Sequence, residues 1–348
     1  MNEQNGLKAL LAPLNSLYGG IMAARSQAYS TGLLRSVRVL QTVISIGNLT
    51  VGGTGKTPVT EYLAHLLSAR RKVAILSRGY GRSSRGFVLA SSTSTAADIG
   101  DEPLQYFTKF GNSVAVAVCE NRVEGAHILH DQFPEHSLLL LDDAYQHLAI
   151  RRDINLLLND YNRPFYKDAP FPGGRLRESR RAAKRADAVI VTKCPENLDN
   201  SERASITERL HRYTQAGTPI FFSSTAYQGA LDFNNQPVAL KNVKMVAGIA
   251  NPAPFAAHLA RSFVVEDRLV FPDHHNYTAG EVLAMIQNLK KGTFVVTTEK
   301  DMVKLKPLAE QLGLTGQFAY IPVSVCFGHD SERFNEWIFK QIGTRAVR

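Results

Sequence analysis

An α/β fold is what the chain predicts: a mainly parallel sheet with helices on both faces, followed by a smaller C-terminal α/β domain. Three observations carry this. Short apolar, β-branched runs alternate with helix-length amphipathic segments; the first run, Val43-Ile44-Ser45-Ile46, feeds a glycine-rich turn ending in Gly55-Lys56-Thr57-Pro58; and a second α/β series follows a polar stretch near residues 225–242. Such alternation buries a parallel sheet between helices. Strand, glycine turn and helix start in succession make the first domain P-loop NTPase-like.

The elements follow in order. Over residues 1–38, Leu7, Leu10, Leu11, Leu14, Leu17, Tyr18, Ile21 and Met22 recur at spacings of three and four, and Arg25, Arg35 and Arg38 come after them. That is a helical apolar face with a basic flank, and Pro13 falls in its first turn or kinks it. Two readings stand: a helix lying in an anionic membrane interface, or one packed on its own domain. A P-loop domain is expected over 39–225, with a helix at 57–70 turning Val59, Leu63, Leu66 and Leu67 inward, and strands at 73–76, 114–118, 138–141, 154–158, 188–192 and 220–222. The turn-rich segment 226–242 reads as a linker or hairpin. A C-terminal domain over 243–348 has strands at 245–249, 263–265 and 294–297, and a helix beginning at Thr278, where Thr278 and Glu281 fit a capping box.

The 348 residues carry a net charge of +9, which favours an anionic partner without choosing among nucleotide, phosphorylated substrate, nucleic acid and acidic membrane. No basic stripe interleaved with aromatics supports nucleic acid. Cys119, Cys194 and Cys326 are widely spaced and odd in number, which argues against a disulfide framework or a zinc site and points to a reducing cytosol. No run approaches the roughly 20 apolar residues needed to span a bilayer, and no secretion signal is evident.

The chemistry starts at the turn. From Thr50 and Val51 onward, backbone N–H groups of Gly52, Gly53, Thr54, Gly55 and Lys56 can converge on phosphate oxygens, Lys56 can reach the β/γ-phosphates, and Thr57 supplies the hydroxyl that P-loop proteins place on Mg²⁺. The general G-x-x-x-x-G-K-[ST] pattern has glycine where this chain has Thr50; the competing reading is a plain glycine turn. Leu138-Leu139-Leu140-Leu141 ends in Asp142-Asp143, an acidic strand end suited to a magnesium ion opposite that threonine. Asp101, in Gly100-Asp101-Glu102-Pro103, is either a base for a substrate hydroxyl or an acid complementing a helix dipole. The block Gly173-Gly174-Arg175-Leu176-Arg177-Glu178-Ser179-Arg180-Arg181 reads as a phosphate clamp or as a solvated basic helix. In Asp273-His274-His275 a histidine orients substrate or moves protons, or both are ordinary turn residues.

Together these blocks resemble the tetraacyldisaccharide 4'-kinase family, the lipid A kinases of Gram-negative bacteria. The resemblance rests on residues 47–58, Leu76-Ser77-Arg78-Gly79-Tyr80-Gly81-Arg82, Gly100–Pro103 in order, Asp142-Asp143-Ala144-Tyr145-Gln146-His147, Leu176-Arg177-Glu178, Gly248-Ile249-Ala250-Asn251-Pro252, Asp273-His274-His275 and Thr298-Glu299-Lys300-Asp301. It implies transfer of the ATP γ-phosphoryl group, with Mg²⁺, to the 4'-hydroxyl of a tetraacylated glucosamine disaccharide 1-phosphate. The place implied is the cytoplasmic face of the inner membrane, with peripheral or monotopic attachment and no protein partner. It further implies two domains that close around the substrates. Residues 50–57 would hold nucleotide and Thr57, Asp142 and Asp143 the metal, while Asp101, oriented by His274, would take the attacking hydroxyl. Lys56, Arg177 and Glu178 would lie near phosphates or metal.

Two departures from the family stand out. Ala144-Tyr145 replaces the usual Gly-Phe, so a positive φ at 144 would cost about a kcal/mol. Pro172-Gly173-Gly174 replaces Pro-Ala-Gly. The rival function is a P-loop GTPase or ATPase switch acting through a partner, although Thr192-Lys193-Cys194-Pro195 lacks the acid of a guanine-reading loop.

Overall fold

A computed structural model of the chain describes residues 12–345, which form two compact units. Neither is continuous. The first takes residues up to Arg78, Cys119–Thr225 and residues from Val325 on; the second takes Gly79–Val118 and Ala226–Ser324. This differs from the contiguous division expected at 225 and 243. The excursion through Gly79–Val118 carries the helix Asp101–Phe110, which packs on the helix Glu299–Gln311, and the C-terminal helix Ser331–Arg345 returns to bury Phe334 and Ile338 in the first unit. Contacts at such separations leave no mark in local periodicity.

Six parallel strands of the first unit lie in the order Val73–Ser77, Leu138–Asp142, Thr42–Asn48, Ile154–Asp160, Ala188–Thr192, Ile220–Phe222. Leu138 to Leu141 are wholly buried, as a parallel strand covered on both faces requires. The register sets Ile46 opposite Asp142, so the strand that feeds the glycine turn ends beside the paired aspartates. After the turn, the helix Lys56–Ser68 buries Val59, Leu63 and Leu67.

The N-terminal helix, Ala12–Ser30, packs on the first unit along one edge and leaves another exposed. Its inner edge is polar: Asn15 Oδ1 accepts from the Gly173 N–H at 2.8 Å, Tyr18 donates to the Arg177 carbonyl at 3.1 Å, and Arg185 donates to Ser26 Oγ at 3.2 Å. Its outer edge is apolar, with Leu14, Leu17 and Ile21 exposed by 52%, 62% and 60%. Leu7, Leu10 and Leu11 lie outside the described residues. No described helix is long and apolar enough to cross a membrane.

The second unit holds a five-stranded sheet in the order Leu231–Asp232, Phe318–Ile321, Thr293–Thr298, Asn242–Ala247, Val264–Val270, parallel except at its first pair. Leu231–Asp232 lies inside the segment expected to be a linker or hairpin; it bridges antiparallel to Pro237 and contributes an edge strand. The expected capping box is present: Glu281 accepts from the Thr278 N–H at 2.8 Å and its own N–H donates to Thr278 Oγ1 at 3.2 Å. Thr298 caps the helix Glu299–Gln311, and Asp301 also accepts from the Gly248 N–H at 2.9 Å. The two distant motifs around Gly248 and Thr298 are thus joined by a hydrogen bond.

Candidate active site

In the first unit the phosphate cradle is held from three sides. Asn48, at the strand end, donates to Thr54 Oγ1 at 2.8 Å while its carbonyl accepts from Gln146 at 2.8 Å. Thr50 forms an antiparallel bridge with Leu176, flanked by Val51 N–H to the Arg175 carbonyl and Arg177 N–H to the Leu49 carbonyl, both 2.8 Å. This accounts for threonine at 50: the backbone there is paired and extended, and the positive φ values fall later, at Gly52 (113°) and Gly55 (83°). On the third side Thr192 Oγ1 donates to the Thr54 carbonyl at 2.8 Å, and Lys193 bonds both the Gly53 carbonyl and, at 2.7 Å, Asp160. The helix Lys56–Ser68 starts with no side-chain cap, leaving its first N–H groups for an anion.

Asp142 is buried at its strand end, and Asp143 follows with φ 46°. Arg177 reaches both Asp143 oxygens, at 2.9 and 3.1 Å, and Lys56 Nζ stands 3.8 Å away. Burial raises the Asp143 pKa more than any other single influence, but Lys56, Arg177 and Arg122 together outweigh it, and the carboxyl sits below its ordinary range. Arg122 is itself buried, which draws its guanidinium down to about 10 against the pull of Asp142 and Asp143. His147 is brought down to about 4 by burial, then by Arg122, Arg25, Arg152 and Arg78, and is neutral at pH 7.

Lys56, Arg177, Asp143 and Gln146 are therefore brought together, whereas Glu178 is engaged elsewhere. Its two buried oxygens are each 2.9 Å from Arg185, whose guanidinium lies 4.9 Å over the Tyr145 ring. Arg180 likewise donates to the Asp168 carbonyl, so part of the basic block works as internal scaffold, while a short 3-10 helix, Arg180–Arg185, keeps Arg181 and Lys184 exposed. Both family departures are absorbed. The positive φ falls on Asp143 and not on Ala144, and the added Tyr145 hydroxyl donates to the Ala182 carbonyl at 2.9 Å. At Gly173, an alanine Cβ would press first on the Asn15 side chain.

Among the described residues no group of three His, Cys, Asp or Glu could hold a metal alone. Two carboxylates and the Thr57 hydroxyl next to a phosphate cradle are hard oxygen donors, a set that suits Mg²⁺ once phosphate oxygens complete the shell.

The second unit carries the other expected residues. Asp101 opens its helix after Gly100 and is buried. Its Oδ2 lies 3.0 Å from His274 Nδ1 and 3.0 Å from Lys304 Nζ. His274 has φ 61°, unusual for a non-glycine residue, and packs edge-on against Tyr80. Its Nε2 is 3.1 Å from Lys300 Nζ, which also bonds Asp273 at 2.8 Å. An ammonium only donates, so in the Lys300 contact Nε2 accepts, and Nδ1 donates to Asp101. His275 is taken up by Glu281 at 3.0 Å. Burial pushes the Asp101 pKa up, and His274, Lys304 and Lys300 more than reverse it, leaving the carboxyl below its ordinary value.

Sequence reading missed Lys193, Asp160, Arg122 and Lys304. Only Lys304 left a signal: it stands four residues after Lys300, on the same helix face as that motif lysine.

A family model described as Tetraacyldisaccharide-1-P 4'-kinase, LpxK, matches residues 7–343. A tetraacyldisaccharide 4'-kinase of Cytophaga hutchinsonii is 41% identical over 347 residues, covering 98% of each chain. Another, of Flavobacterium johnsoniae, is 40% identical over 343 residues, 97% of this chain and 98% of its own. Among solved structures, the "apo" form of LpxK from Aquifex aeolicus in complex with ATP is similar with a TM-score of 0.77 and 28% identity, over 96% of this chain and 99% of that one. These matches do not favour the partner-binding switch.

Proposed function

The chain belongs to the tetraacyldisaccharide-1-P 4'-kinase family, and from that membership we infer that it is an ATP-dependent kinase of lipid A biosynthesis, phosphorylating the 4'-hydroxyl of a tetraacylated disaccharide 1-phosphate. The observation that carries the reading is the cradle at the open N-terminus of the helix Lys56–Ser68, with Lys56 set beside the Asp143–Arg177 pair. Phosphoryl transfer asks little covalent chemistry of a protein and a great deal of positioning and charge.

In this reading residues 50–57 bind the ATP phosphates and Lys56 and Arg177 face the charge that develops on the transferred group. Thr57, Asp142 and Asp143 hold Mg²⁺, which neutralises phosphate charge when bound. Glu178 acts through Arg185, fixing the wall behind Tyr145. Asp101 receives the acceptor hydroxyl and His274 orients it. The hydroxyl oxygen forms its bond to the γ-phosphorus, the bond to the ADP oxygen breaks with its electron pair staying on ADP, and the hydroxyl proton passes to Asp101.

The exposed Leu14, Leu17 and Ile21, followed by Arg25, Arg35 and Arg38, support attachment to an anionic membrane surface, where an acylated substrate resides. In this reading the protein attaches peripherally at the cytoplasmic face of the inner membrane.

The test is transfer of labelled γ-phosphate from ATP, with Mg²⁺ and detergent, onto a tetraacylated disaccharide monophosphate. Acceptor-dependent labelling of the lipid is expected; ATP hydrolysis that proceeds equally without acceptor, with the lipid unlabelled, would overturn the reading.

A further inference from the structure

Lys304 projects from the helix Glu299–Gln311 with its side chain only 5% exposed, and its ammonium lies 3.0 Å from Asp101 Oδ2, the oxygen that also meets His274. Burying an ammonium carries a large desolvation cost, and an apolar side chain of similar length fills such a space without it. The ammonium is therefore explained by the carboxylate it meets.

Resting on the reading of Asp101 as the group that takes the acceptor hydroxyl, we propose that Lys304 is a positioning residue for the kinase reaction, holding Asp101 ionised and fixed in rotamer so that it meets the hydroxyl as a carboxylate.

The surroundings of Asp101 bear this out from each element packed on it. Its own helix contributes Glu102, a like charge. The helix Glu299–Gln311 contributes Lys300 and Lys304, and the turn at 273–277 contributes Asp273, His274 and Tyr277, whose ring lies 5.8 Å from Lys304 Nζ. Lys300 is shared with Asp273 and with His274 Nε2, so its charge is largely spent there. Lys304 has no other ion partner among the described residues, so Asp101 is the one carboxylate its charge meets there. A carboxylate so held is a weak base, which suits a transition state in which bonding to phosphorus is loose and the proton leaves late. What the reaction gains is the right protonation state at every physiological pH.

The experiment is the pH dependence of kcat in the lipid phosphorylation assay for the wild type, Lys304→Met, Lys304→Arg and Asp101→Asn, with ADP binding and thermal unfolding as checks on folding. Activity needs ionised Asp101 and falls as pH drops through its pKa, so loss of Lys304 should move the acid limb upward by about one pH unit. Lys304→Arg should keep the limb in place. An unmoved limb in a folded Lys304→Met protein overturns the proposal, as does a shifted limb in Lys304→Arg. Full activity in Asp101→Asn overturns instead the reading of Asp101 beneath it, so the two failures are distinguishable.

Discussion

A single guanidinium nitrogen of Arg177 stands 2.9 and 3.1 Å from the two carboxylate oxygens of Asp143, and Lys56 approaches the same group to 3.8 Å. Remove the arginine and Asp143 keeps its charge with Lys56 as the nearest cation, which would draw Lys56 toward Asp143 and away from the phosphate it is proposed to meet. Arg177→Met should lower kcat/KM for ATP roughly a hundredfold, the scale of a lost charge-assisted donor at a reacting group. Steady-state kinetics at varied ATP check this; an unchanged kcat/KM would place Arg177 outside the nucleotide's work.

His147 makes a prediction about acid stability. Its folded pKa is depressed to about 4 from an ordinary 6.5, by burial first and then by four arginines. Between those values the unfolded chain binds a proton that the folded chain does not, so stability rises with pH across the window and is lost as pH falls from 6.5 toward 4. The full effect is on the order of 3 kcal/mol. Urea unfolding at pH 7.5 and 4.5 should show a smaller acid loss in His147→Asn than in the wild type; equal losses would show that His147 does not carry the effect.

Residues 145 and 174 predict opposite tolerances. Tyr145→Phe removes one hydrogen bond, to the Ala182 carbonyl, and should cost about 1 kcal/mol with activity kept. A Cβ at Gly174 would stand 2.1 Å from the Ala169 carbonyl oxygen, so Gly174→Ala must move backbone and should cost about 1–3 kcal/mol. Thermal melts of the two variants rank them, and a Gly174→Ala protein as stable as Tyr145→Phe would contradict the packing.

Leu17 and Ile21 are exposed, so charging them should leave the melting temperature unchanged. Each apolar side chain that leaves a lipid interface forfeits about 1.5–3 kcal/mol. The double variant Leu17→Asp, Ile21→Asp should therefore lose at least tenfold in binding to vesicles containing anionic lipid, read by co-sedimentation. Undiminished binding would remove this helix edge from membrane attachment.

Much of this was legible in the chain. The strands Ala188–Thr192 and Ile220–Phe222 can be read to the residue because a buried parallel strand needs an unbroken apolar run, and each ends at a polar or turn residue. The cradle is legible because it is local: strand, glycines, lysine and helix lie within a dozen residues. Tyr18 and Met22 are harder, since their spacing fits the same apolar stripe as Leu17 and Ile21, yet Tyr18 turns inward to the Arg177 carbonyl. The short strand Phe318–Ile321 escapes notice, being four residues closed by Pro322. Least legible are the pairs Lys193–Asp160 and Lys304–Asp101, the latter 203 residues apart, because an ion pair has no periodicity to betray it.

The interleaving of the two units bears on how the protein is made. The nucleotide-holding unit is opened by residues before Arg78, yet its aromatic seam is closed by Phe334, which stacks on Phe327 and meets Phe221 edge-on. During synthesis that seam must wait, open and oily, until nearly the whole chain has left the ribosome. A nonsense mutation near residue 325 would thus spare every motif residue and still deprive the nascent enzyme of the piece that seals its ATP-binding half.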